Sequence, residues 1–139
     1  MLAQQGRGEV EMTEWKQHDI HAKITKILSK VSCDHHFGGR PYSAPYQIAA
    51  AFVEHYPNET TALGYPIGGT GTGAPMTLAK YFANMLSRGI KEGTITNIEG
   101  AFLSNQHLND ILFHTAQGVV ASTLTRGRSP LSIFRLKNV

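Results

Sequence analysis

The stretch PMTLAKYFANMLSRGIKEGTITNIEGAFL, residues 75–103, contains the change of period that decides the fold class. Up to Lys91 the apolar residues Leu78, Phe82, Met85, Leu86 and Ile90 recur at the spacing of one helical face. Pro75 is tolerated at a first helical position, and Gly93 is the residue type that ends a helix in left-handed backbone. A helix over 75–91 is expected, with Gly89 marking a close approach within it. From Thr94 onward the helical period is gone, and β-branched residues alternate with turn signals.

Downstream, the same pattern predicts four strands, over 95–103, 111–115, 119–125 and 131–136. Gln117-Gly118 suits a hairpin turn and Arg126-Gly127-Arg128-Ser129-Pro130 a second short connection, so antiparallel neighbours are expected. Upstream, Ile20, Ile24, Ile27, Leu28 and Val31 define one face of a first helix that Thr13 would cap. A second helix is expected from an N-cap at Ser43 to the residues before Pro57, on the stripe Tyr46, Ala49, Ala50 and Val53. Residues 58–74 read as one long connection. Three N-terminal helices followed by a small four-stranded antiparallel sheet make an α+β protein, because strands and helices do not alternate as a parallel sheet requires. A tail over 1–10 and a single domain over 11–139 are expected.

Composition bounds the function classes. The longest apolar run, residues 48–53, is far shorter than the roughly 20 residues of a membrane span. The mixed charges of the first thirty residues do not form a secretory signal. Cys33 is the single cysteine, so no internal disulfide exists, and a cytoplasmic location is expected. The net charge of +3 resides entirely in residues 100–139, where Arg126, Arg128, Arg135 and Lys137 face Asp110 alone. A second window without acids runs from Thr60 to Lys91. Together they suit a polyanion if the fold joins them.

The run Ile67-Gly-Gly-Thr-Gly-Thr-Gly-Ala-Pro75 before the third helix would offer backbone N–H groups to a phosphate, through Gly71 and Gly73. It is not a dinucleotide fingerprint, since no strand and βαβ unit frame it, and no lysine follows the last glycine as a triphosphate loop demands. No cofactor is expected. The outward face of the third helix reads Thr77, Lys80, Tyr81, Asn84, Ser87, Arg88 and Lys91, with cations, an amide and hydroxyls but no acid. Such a face can meet phosphates through the lysines and base edges through Asn84 or Arg88.

A short helix, a basic helix and a following hairpin resemble a winged helix-turn-helix over residues 43–126. That resemblance implies DNA as partner, with Arg126 and Arg128 at the tip of the wing. A helix-turn-helix connection is normally three or four residues long, so the resemblance calls for a short helix within 58–64. Two other function classes stand beside it. One is an interaction or inhibitor module, a homodimer included, working through the first helix and open sheet edges. The other is a small metal-dependent hydrolase or nuclease using Cys33, Asp34, His35 and His36 with His18, His21 or His55, although that spacing matches no standard zinc pattern. No catalytic set or metal site is assigned. Trp15, Phe102, Phe113 and Phe134 are expected in the core.

Overall fold

A computed structural model describes residues 7–32, 38–122 and 130–137. Five helices precede four strands: α1 Arg7–Gln17, α2 Ile20–Ser29, α3 Pro45–His55, α4 Pro57–Leu63, α5 Leu78–Glu92, β1 Ile98–Leu103, β2 Leu112–Thr115, β3 Gly118–Ala121 and β4 Leu131–Leu136. The α+β class stands, but the expected first helix is two, and α1 begins at Arg7, within the stretch read as a tail. The break falls at Asp19, in left-handed backbone at φ 50°, ψ 48°. Aspartate visits that region more readily than most residues. The Lys23 ammonium donates to the His18 carbonyl at 2.6 Å, satisfying one acceptor at the end of α1. The corner lets α1 fold back over α5.

A helix at Pro57–Leu63 stands where the winged-helix resemblance called for one, but residues 64–77 still separate it from α5, so the short turn of a helix-turn-helix is not formed between them. It follows α3 through Tyr56 alone and ends at Gly64 in left-handed backbone, φ 73°. Ser43 does not cap α3. Ala44 takes that position, its N–H donating to Gln47 Oε1 at 2.7 Å, while Ser43 lies extended against β4. Its N–H donates to the Phe134 carbonyl at 2.7 Å and its carbonyl accepts from the Phe134 N–H at 2.9 Å.

The strands pair as two ladders of two, not as one sheet of four. β1 and β4 are antiparallel, with Gly100 opposite Phe134, and the Ser43 bridge adds a third segment on the far side of β4. β2 and β3 form a separate hairpin with Phe113 opposite Val120. The short connection into β4 therefore does not make it a neighbour of β3. The hairpin instead packs on the glycine loop and on α3, where Tyr46 and Phe113 stack at 5.0 Å.

The core lies between α2, α3 and α5 and the β1–β4 ladder, with Ile24, Phe52, Phe82, Leu86, Ile98 and Phe134 buried. Trp15 and Phe134 are core residues as expected, and Phe113 is half-buried. Phe102 is not: it is 72% exposed, at a β1 position opposite the small Ser132. No helix among the described residues is long and apolar enough to cross a membrane.

Candidate nucleic-acid interface

Thr77 caps α5, its hydroxyl accepting from the Lys80 N–H at 3.2 Å. The Leu78 N–H donates to the Pro66 carbonyl at 2.7 Å and the Ala79 N–H to the Ile67 carbonyl at 2.9 Å. The first three N–H groups of the helix are thus engaged by the chain itself. The expected phosphate cradle at this helix start therefore has no free donors in its first turn.

The glycines before the helix divide into two groups. Gly68 and Gly69 are inside: a Cβ on Gly69, at φ +104°, would stand 2.5 Å from Val120 Cγ1 and 2.8 Å from the Ala121 carbonyl. The neighbouring Thr70 N–H donates to that carbonyl at 2.9 Å, so this half of the run is a seat for the β2–β3 hairpin. Gly71 and Gly73 are exposed, at φ +88° and +67°, with open space where a Cβ would stand. Their positive φ gives the loop a shape that other residues rarely adopt.

Along α5, Lys80, Asn84, Ser87 and Lys91 are all exposed. Their spacing of four, three and four residues puts them on one stripe, about 16 Å long at 1.5 Å per residue. No acid occurs between Leu78 and Lys91. Among the described residues, neither lysine is held in an ion pair. Thr77 is half-buried at the head of the helix.

Two residues expected on this face are elsewhere. Tyr81 is fully buried beneath α1, 5.9 Å from Trp15 in an edge-to-face pair, and its hydroxyl donates to the Glu11 carbonyl at 2.9 Å. Burial, and next the nearby Glu14 carboxylate, holds its phenol well above the ordinary tyrosine range. Arg88 is half-buried on the flank that α1 covers. The physical reason is the α1–α2 corner, which turns a helix expected elsewhere onto this side of α5.

The basic C-terminal window is partly neutralised. The Arg135 Nε donates to Glu99 Oε2 at 2.7 Å, and its guanidinium lies 4.4 Å from the centre of the Tyr42 ring. Arg40 donates to the carbonyls of Ser29 and Val31 beyond the end of α2. These two arginines were not separable by sequence from free surface cations. Arg126 and Arg128 lie outside the described residues, as do Cys33, Asp34, His35 and His36. Among the described residues, no three His, Cys, Asp or Glu side chains gather as metal ligands. The His21 Nε2 is 2.8 Å from Asn97 Oδ1, which ties that ring to the start of β1.

No protein-family model matches the chain, and neither a curated protein nor a solved structure does.

Proposed function

We propose that this chain is a small cytoplasmic DNA-binding protein of winged-helix type that lays α5 in the major groove. The observation that carries this reading is the exposed stripe Lys80, Asn84, Ser87 and Lys91, on a helix whose first acid is its last residue, Glu92. An α-helix fits a groove about 12 Å wide. Lys80 and Lys91 then meet phosphates at the two ends of the stripe, and Asn84 between them faces base edges, adenine by preference. The exposed loop at Gly71 and Gly73 lets backbone approach the sugar-phosphate chain closely.

The layout supports the same reading. α2, the Ser43 segment, α3, α4 and α5 precede the antiparallel pair β1 and β4, in which β4 lies between Ser43 and β1. Helices beside a small sheet, with a bridge from the segment before α3 onto the final strand, are an arrangement of winged-helix kind. The β2–β3 hairpin falls between β1 and β4 in the chain, the interval in which a winged helix carries its wing, and Arg126 and Arg128 belong to the same interval of sequence, outside the described residues.

Titration of a labelled duplex at several salt concentrations tests the reading. Affinity should fall linearly in log–log form as salt rises, by about 0.9 per phosphate neutralised. Absent binding at low salt, or binding indifferent to salt, would sink it. Asn84→Ala should change the ranking of duplex sequences while leaving the salt slope in place.

A protein partner is the second reading, favoured by the exposed apolar side chains Phe102, Leu112 and Val119 at 72%, 61% and 60% exposure. Light scattering on the purified chain separates a self-associating protein from a monomer.

A further inference from the structure

We propose that the cavity between α1, the α1–α2 corner and the C-terminal half of α5 binds a small flat apolar acid, a ring system carrying one carboxylate. The cavity measures about 370 Å³, within the size range of small-molecule sites. Its apolar lining is Met12, Trp15, Met85 and Ile95. An indole and two thioethers form a polarizable surface that adapts to an aromatic ring.

Lys16 and Arg88 supply the positive charge at its rim. Arg88 is half-buried, and no described residue offers it an ion pair or a hydrogen bond. A guanidinium in that situation retains a planar fork of donors that matches a carboxylate bidentately. Asp19 and Glu92 also line the cavity, both solvent-exposed and neither within ion-pair distance of Arg88. Their charges are screened by water, yet they oppose a dianion, so a monocarboxylate fits better than a phosphate. The apolar part of the lining favours an acid that carries a ring over a purely polar one. The cavity lies on the α1-facing flank of α5, so the proposal does not rest on DNA binding.

The test follows methyl resonances of ¹³C-methionine-labelled protein as 2-naphthoate is added, with 2-naphthamide as its neutral counterpart. Saturable shifts are expected at Met12 and Met85, which line the cavity, with Met76, buried elsewhere in the core, unmoved. The amide should bind about tenfold more weakly than the acid, and Arg88→Gln should remove most of that difference. Lys16→Gln, at an exposed position, should weaken the acid several-fold and serves the same purpose should Arg88→Gln not fold. Shifts that never saturate, or that move Met76 equally, overturn the proposal. Equal affinity for acid and amide does so as well. Loss of salt-dependent DNA binding with the methionine shifts intact would fault the α5 reading alone.

Discussion

The Tyr81 hydroxyl donates to the Glu11 carbonyl from a fully buried position. Tyr81→Phe keeps the ring packed on Trp15 and leaves that carbonyl short of a donor, so it should cost about 1 kcal/mol at neutral pH. The same change should alter the alkaline limb. With the phenol raised in the folded state by burial and then by Glu14, the folded chain keeps a proton that the unfolded chain releases near the ordinary value of 10.0. The stabilisation is therefore full below about pH 10 and is lost as pH rises beyond it. Urea denaturation at pH 7 and pH 10.5 should show a smaller alkaline loss in Tyr81→Phe than in the parent, and equal losses would refute the assignment. Gly89 gives the opposite lesson about helix propensity. Alanine there would gain up to about 1 kcal/mol in an exposed helix. A Cβ at Gly89, however, would lie 2.5 Å from Ile95 Cδ1 and 2.6 Å from its Cγ1. Gly89→Ala should destabilise by about 1–3 kcal/mol through overpacking. A double-mutant cycle with Ile95→Ala should recover part of that, and strict additivity would show that the contact is not the cause.

Among the elements, the β2–β3 hairpin depends on the glycine loop more than on other strands. It pairs with neither β1 nor β4, and the Thr70 N–H and the space at Gly69 fix it in place. Gly69→Ala combines a positive φ with a clash against Val120 and Ala121, so the hairpin should undock before the core yields. Amide exchange should speed up across Leu112–Thr115 and Gly118–Ala121 while Ile98–Leu103 and Leu131–Leu136 keep their protection. Uniform loss would instead place Gly69 in the global folding unit. This docking was illegible in the sequence, because two short connections suggested consecutive pairing and nothing local distinguishes β1 from β3 as the partner of β4. What was legible is local: the stop at Gly93, the apolar face of α5 and the span of β4 follow from period and turn chemistry, whereas β1 starts at Ile98, three residues later than expected. The α1–α2 corner escaped because His18-Asp19 carries neither glycine nor proline, and the misplacement of Tyr81 and Arg88 followed from it. The stripe Lys80, Asn84, Ser87 and Lys91 could be read because exposure there is set by the helix's own periodicity.

For the whole molecule, the net charge of +3 says less than which cations remain free. Arg135, counted by sequence in the basic C-terminal window, spends its charge on Glu99 within the β1–β4 ladder. Lys80 and Lys91 spend theirs on nothing among the described residues. If counterion release from a duplex drives binding, each lysine removed should lower the slope of log affinity against log salt by about 1 and weaken all sequences alike. The double change Lys80→Ala/Lys91→Ala should therefore flatten the slope by about 2 without altering sequence ranking. Arg135→Gln removes the same formal charge as either lysine, but from a pair that is already neutral. It should leave the slope unchanged and cost about 1–2 kcal/mol of stability, since the ion pair is partly exposed but the Tyr42 contact and the bond to the Arg40 carbonyl are lost with it. Net charge alone would predict equal effects from all three positions. A slope that drops equally with Arg135→Gln would mean that the molecule meets DNA through its overall field, and that α5 holds no privileged place on it.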